Sequence, residues 1–143
     1  MSSVIKVSDN IQAKLDETKG TVSYQGVQMV WGDRALIGNV FQNLIENSIK
    51  YKDGEAPEIT ITGSLSRDKT HFIYEDNGVG IPPDKRATVF DPFVQANSHA
   101  EGVGLGLSVV KKIVSAHGGT IEIVDKSDAG TRFEFSIARK TIP

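Results

Sequence analysis

The chain has 143 residues, a length that supports one hydrophobic core. Apolar residues make up 38% and charged residues 24%, and the net charge is −2, so the basic excess typical of nucleic-acid or anionic-membrane binding is absent. Cysteine is absent, which excludes disulfides, thiolate metal sites and cysteine nucleophiles. No apolar stretch approaches the roughly 18 residues of a membrane span, and no signal-peptide pattern opens the chain.

The first part of the chain predicts short extended segments around one helix. Residues 4–7, 21–24 and 28–31 read as strands. Between the first two segments, Ser8 or Asp9 can cap a helix with apolar Ile11 and Leu15, which Gly20 ends.

A long amphipathic helix follows. Asp33 can cap it, and the pattern continues from Arg34 to Tyr51. Its apolar stripe consists of Leu36, Ile37, Val40, Phe41 and Leu44.

The second half of the chain predicts two hairpins and a third main helix. Residues 58–65 and 70–75 show the alternation of apolar and polar side chains that is typical of half-buried strands. Residues 120–124 and 132–137 are predicted to form a closing hairpin. Between the hairpins lie a short helix from Pro82 toward Phe90, a loop of small residues at 94–103 and a helix from Gly104 to His117, with Leu107, Val110 and Val114 facing inward. We therefore expect an α+β fold: a two-layer α/β sandwich with three helices on one face of a mixed, mainly antiparallel sheet.

The long helix carries the first candidate motif. Residues 43–51 read Asn-Leu-Ile-Glu-Asn-Ser-Ile-Lys-Tyr and place Asn43, Asn47 and Lys50 on one helix face. An amide oxygen is a hard, neutral ligand suited to Mg²⁺, and a lysine one turn later can neutralise phosphate. A solvated polar face is the alternative interpretation of the same residues.

The second motif follows a predicted strand, where residues 76–81 read Asp-Asn-Gly-Val-Gly-Ile. Asp-Asn-Gly is a turn signal in itself. The glycines also allow a flat base to approach the backbone while Asp76 accepts a hydrogen bond from its exocyclic amine. Adenine carries that amine, so this interpretation selects adenine, with Ile81 as an apolar wall.

Two further motifs border the loop of small residues. Residues 90–93 read Phe-Asp-Pro-Phe, and residues 102–107 read Gly-Val-Gly-Leu-Gly-Leu at the start of a helix. Backbone amides at a helix N-terminus bind phosphate, and glycines let a loop fold over it. Leu107 stands where a dinucleotide fingerprint needs its last glycine, and no Gly-Lys-Ser/Thr occurs, so neither that fingerprint nor a Walker loop is indicated. Core phenylalanines and a plain glycine hinge remain the alternatives.

In this order and spacing, the four motifs resemble the N box, first glycine box, F box and second glycine box of the catalytic, ATP-binding domain of bacterial sensor histidine kinases. That domain belongs with the gyrase, heat-shock chaperone and mismatch-repair ATPases. The resemblance covers residues 1–143 as a single domain, and residues 130–133 are similar to the family's last glycine box. It implies a Bergerat-type ATP-binding fold, ATP and Mg²⁺ as cofactors, and a cytoplasmic location, even where the parent protein is membrane-anchored.

The resemblance also implies residue roles. Asn47 would ligate Mg²⁺, and Asn43 and Lys50 would lie at the phosphates, so that these three residues are the catalytic ones. Asp76 would bind the adenine amine, and Phe90 would help to anchor a lid over residues 94–103 that is mobile without nucleotide. The other nucleotide-binding residues would be Tyr51, Gly78, Gly80, Ile81, Phe93, Gly102, Val103, Gly104, Leu105, Gly106, Leu107 and Thr131.

One position separates the subfamilies of this resemblance. Hydrolysing relatives carry a glutamate one turn before the metal-binding asparagine, and here that position is Asn43. Glu46 precedes Asn47, is rotated about 100° from it on the helix, and should not replace a glutamate at position 43. We therefore expect phosphoryl donation with little hydrolysis.

The phosphoacceptor is expected outside this chain. None of His71, His99 and His117 has the acidic residue immediately after it that marks an acceptor box. The implied partners are a helical dimerisation domain that carries the substrate histidine and, indirectly, a response regulator, with no nucleic acid. The isolated domain is expected to be monomeric and not to phosphorylate itself. A serine kinase of the anti-sigma type, an ATP-gated clamp and a non-catalytic nucleotide sensor are the alternatives on the same fold.

Overall fold

The computed structural model describes residues 2–4, 8–27, 29–91, 106–126 and 129–139. The helices are α1 (Asp9–Thr18), α2 (Arg34–Lys50) and α3 (Gly106–Ala116), with a short 3₁₀ turn at Pro83–Lys85. The strands are β1 (Ser2–Val4), β2 (Thr21–Gly26), β3 (Met29–Trp31), β4 (Glu58–Leu65), β5 (Lys69–Asp76), β6 (Ile121–Val124) and β7 (Arg132–Ala138). No described helix has both the length and the apolar character that crossing a bilayer requires.

Five strands form one mixed sheet in the order β2-β4-β5-β7-β6. β2 runs parallel to β4, and the other neighbouring pairs are antiparallel. This mixed sheet with three helices confirms the predicted α+β fold class. The expectation of one sheet was incomplete, because β1 pairs with β3 in a separate two-stranded ladder.

Both predicted N-caps are present. The Ser8 hydroxyl accepts a hydrogen bond from the Ile11 amide at 3.3 Å, and the Asp33 carboxylate accepts one from the Leu36 amide at 3.0 Å. The end of α1 differs from the prediction, because Lys19 rather than Gly20 adopts the left-handed conformation, with φ 58°. Gly20 serves close packing instead, since a Cβ there would lie 2.9 Å from a Leu15 methyl.

The hydrophobic core lies between the helices and one face of the five-stranded sheet. Phe41 of α2 meets Phe72 of β5 edge to face, with ring centroids 5.3 Å apart. Leu36 was predicted in the apolar stripe of α2 and is instead 41% exposed. The buried stripe continues to Ile45 and Ser48, so it is centred beyond Leu36, which lies at its margin.

Candidate functional site

Asp76 ends β5 as a buried carboxylate that is only 6% exposed. Its Oδ1 atom accepts hydrogen bonds from the amides of Gly78 and Thr131, both at 3.0 Å. The Asp76 amide in turn donates to the Thr131 carbonyl at 3.0 Å. The carboxylate is therefore held by the backbones of two segments that are far apart in sequence.

The other carboxylate oxygen has a side-chain partner that the sequence did not indicate. Ser48 Oγ lies 2.6 Å from Asp76 Oδ2 and 2.7 Å from the Tyr74 hydroxyl. Burial raises the pKa of Tyr74 well above its usual 10; the hydrogen bond with Ser48 lowers that pKa in part, and the charge of Asp76 raises it. Tyr74 is therefore a neutral hydroxyl at physiological pH, next to a carboxylate.

Two glycines shape the chain beyond Asp76. A Cβ on Gly78 would lie 2.7 Å from the Tyr51 carbonyl oxygen, which accepts a hydrogen bond from the Val79 amide at 3.0 Å. Gly80 has φ 80°, and a Cβ there would lie 2.9 Å from the Gly130 carbonyl. Side chains at either position would displace backbone, so the close packing of this strand end requires glycine at both positions.

The walls around the strand end are buried. Ile81 and Thr131 are 8% and 7% exposed. Asn77 points away from them and accepts from the Glu58 amide at 2.8 Å while donating to the Ala56 carbonyl at 3.1 Å. It thereby fixes the loop between α2 and β4 against the end of β5.

The residues of the predicted polar face of α2 are more exposed than Asp76. Asn43 and Asn47 are partly buried, and Lys50 is exposed. Asn43 donates through Nδ2 to the Asn39 carbonyl at 2.8 Å, and its Oδ1 lies 3.3 Å from the position that a Gly106 Cβ would occupy. The Lys50 ammonium lies 5.9 Å from the Tyr51 ring centroid. The structure thus brings the N-box helix and the start of α3 together.

Glu46 faces a different neighbour from Asn43. Its carboxylate lies 3.9 Å from Lys14 of α1 and accepts from Gln42 at 3.4 Å. Glu46 therefore lies on the side of α2 that faces α1.

Other predicted site residues lie in the core or outside the described residues. Phe90 packs against Phe133 with centroids 6.4 Å apart, and Leu107 belongs to the same hydrophobic core. The lid at residues 94–103 lies outside the described residues, as do Phe93, Gly102, Val103, Gly104 and Leu105.

The two described histidines make structural contacts. His71 Nε2 lies 2.9 Å from the Ser66 hydroxyl. His117 contacts the Ile113 carbonyl at 2.8 Å and accepts from the Asp33 amide at 3.3 Å, so it joins the end of α3 to the start of α2. A cavity of about 620 Å³ lies beside it, lined by Trp31, Gly32, Asp33, Arg34, Ala35, His117 and Ala138.

The residues at the end of β5 fit the adenine nucleotide that the sequence implies. An ionised carboxylate offers about four acceptor positions. Among the described residues, the Gly78 amide, the Thr131 amide and the Ser48 hydroxyl fill three at Asp76, which leaves one on Oδ2 for a donor such as an exocyclic amine. On the helix face, Asn47 can supply an amide oxygen to Mg²⁺, which takes its other ligands from phosphates and water.

Comparisons with known proteins agree with this fold. Residues 32–141 match the family described as histidine kinase-, DNA gyrase B- and HSP90-like ATPases. The chain is 33% identical over 136 residues to the phytochrome-like protein Cph1 of Synechocystis, covering 94% of this chain and 18% of Cph1. It is 37% identical over 113 residues to the sensor protein KdpD of Escherichia coli, covering 78% of this chain and 12% of KdpD. The chain thus spans less than a fifth of either relative.

Solved structures show the same fold. The catalytic domain of the histidine kinase ThkA superposes with a TM-score of 0.76 at 28% identity, covering 91% of this chain and 86% of that one. The Acinetobacter baumannii histidine kinase AdeS gives 0.76 at 26% identity, covering 99% and 68%. The chain therefore belongs to the histidine kinase-, DNA gyrase B- and HSP90-like ATPase family, and its relatives there are sensor histidine kinases.

Proposed function

We propose that this chain binds ATP·Mg²⁺ and donates the γ-phosphoryl group to a histidine on a separate helical dimerisation domain, in two-component signal transduction. The observation that carries this proposal is the buried Asp76 carboxylate, to which three groups of the described residues donate, so that one acceptor position stays open beside the glycine-built end of β5. Such a position accepts an amine and repels a carbonyl, which distinguishes adenine from guanine.

The phosphates would lie along the exposed side of α2. In this arrangement Asn47 would ligate Mg²⁺, Asn43 would lie between the phosphates and the start of α3, and Lys50 would contact a phosphate oxygen. Lys50 is exposed, with its ammonium 5.9 Å from the Tyr51 ring centroid, so it is accessible to a phosphate oxygen. Bound Mg²⁺ supplies neutralisation of the charge that develops on the transferring group.

The side chains at positions 43 and 46 of α2 favour phosphoryl donation over ATP hydrolysis. Asn43 carries no carboxylate, and Glu46 is engaged with Lys14 and Gln42. Asn43 cannot take a proton from water, and Glu46 lies on the side of α2 that faces Lys14 of α1. An acceptor nucleophile must therefore come from another protein segment, and a dimerisation domain with a histidine supplies one.

In this function, residues 1–143 act as one catalytic domain that is monomeric by itself and lacks the acceptor. Radiolabelled ATP·Mg²⁺ incubated with the chain and a purified histidine-bearing helical domain tests this function. Label should appear on the added domain, stable to base and labile to acid, with none on the chain alone and little free phosphate. Acid-stable label on a serine acceptor would support the anti-sigma alternative, and steady phosphate release by the chain alone would contradict donation.

A further inference from the structure

A buried series of hydrogen bonds connects Tyr74 through Ser48 to the Asp76 carboxylate. Tyr74, Ser48 and Asp76 are 0%, 2% and 6% exposed. The Tyr74 hydroxyl lies 2.7 Å from Ser48 Oγ, which lies 2.6 Å from Asp76 Oδ2. None of the family motifs used above assigns a role to Ser48 or to Tyr74.

Hydrogen-bond chemistry determines which group donates in each of these two hydrogen bonds. An ionised carboxylate can only accept, so the single Ser48 proton must point to Asp76 Oδ2. Ser48 then has no proton left for Tyr74, so the Tyr74 hydroxyl must donate to Ser48 Oγ. The raised pKa of Tyr74 keeps that proton in place. The order of donation is therefore Tyr74 to Ser48 to Asp76.

We propose that Ser48 and Tyr74 are positioning residues that set the base selectivity of the site, by holding Asp76 as an acceptor with one open position on Oδ2. This inference rests on the proposed function, since it assumes that a nucleobase occupies that position. Without the Ser48 hydroxyl, Oδ2 has a second open position, which water or a differently placed donor can fill. The carboxylate is then held only through Oδ1, and the match to the adenine amine becomes less selective.

This base selectivity can be measured by comparing the binding of two nucleoside triphosphates. ATP carries the exocyclic amine, and purine riboside triphosphate lacks it but is otherwise the same. The dissociation constant of purine riboside triphosphate divided by that of ATP, from calorimetric titration of the whole chain with Mg²⁺, reports the amine contact alone. A loss of stability by itself lowers the folded fraction for both ligands equally and leaves the ratio unchanged.

Ser48→Ala is expected to reduce this ratio by about 10-fold, through weaker ATP binding. Ser48→Thr keeps the hydroxyl and should restore the ratio. Tyr74→Phe leaves the Ser48 donor in place, so its reduction should be smaller, about 2-fold. If Ser48→Ala does not fold, as judged by circular dichroism, the inference is tested by the ratios of Tyr74→Phe and Ser48→Thr instead.

Thr70→Val is a matched control. Thr70 lies on the same strand as Tyr74 and has a buried hydroxyl without a hydrogen-bond partner among the described residues. Its removal should leave the ratio unchanged. A folded Ser48→Ala variant with the wild-type ratio, or an equal drop in Thr70→Val, would overturn this inference alone. Failure of the wild-type chain to bind ATP would overturn the proposed function as well.

Discussion

The base end and the phosphate end of the proposed site are constructed differently. At the base end, Asp76 is buried and held by two backbone amides and a serine, and Gly80 approaches the Gly130 carbonyl. At the phosphate end, Asn47 and Lys50 lie on a helix face that is partly or fully open to solvent. The base end is held by hydrogen bonds within the fold, whereas the described part of the phosphate end is a solvent-facing surface of α2. Selectivity should therefore depend on the first and metal dependence on the second.

The largest expected effect is at the base end, from Asp76→Asn. An amide nitrogen in place of Oδ2 would face the adenine amine with a second donor, and ATP affinity should fall by about 100-fold or more. Because the site is buried and linked to Ser48, we also expect a lower melting temperature. Calorimetric titration with ATP·Mg²⁺ and thermal unfolding measure the two effects. Wild-type ATP affinity in this variant would show that Asp76 does not bind the adenine base.

Asn47→Ala tests the phosphate end. Loss of the proposed amide ligand should reduce ATP affinity in Mg²⁺ by about 10-fold and leave affinity in EDTA unchanged, because only the metal-dependent part is removed. Asn39→Ala is a matched control, since Asn39 is an exposed asparagine two turns earlier on the same helix. Equal losses with and without Mg²⁺ would show that Asn47 acts on the fold or the base instead.

Lys50→Ala should have a smaller effect. An exposed lysine that contacts phosphate contributes about 3- to 5-fold to ATP affinity at low salt, and the contribution should shrink as salt increases. Adenosine binding should not change. Lys52→Ala provides the control, because Lys52 is exposed two residues later and outside α2. A salt-independent loss would contradict a phosphate contact.

The smallest expected effect comes from Arg86→Ala. Arg86 donates to the Ile81 carbonyl at 3.4 Å and pairs with Asp125, so it supports the wall of the base end from outside. The Asp125 side chain is 87% exposed, and such pairs contribute about 1 kcal/mol or less to the free energy of unfolding. Chemical denaturation should show that small loss with ATP affinity nearly unchanged. A large loss of affinity would mean that Ile81 depends on Arg86 for its position.

The sequence predicted the parts of this molecule that depend on local patterns. Asp33 caps α2 as expected, and alternation located the two strands of the first hairpin. Ser48 was missed because its partners, Tyr74 and Asp76, are 26 and 28 residues away, and a lone serine in a helix has no local signal. The β1–β3 pairing was missed for the same reason, since register between distant short strands depends on tertiary contacts.

The most direct test of the base position is amide chemical-shift mapping of the chain titrated with ADP·Mg²⁺. The amides of Gly78 and Thr131 donate to Asp76, so their resonances should shift most strongly, together with those of Ser48 and Gly80. In Asp76→Asn these shifts should disappear at the same ligand concentration. Shifts confined to the cavity beside Trp31 and His117, with Gly78 and Thr131 unchanged, would contradict the account.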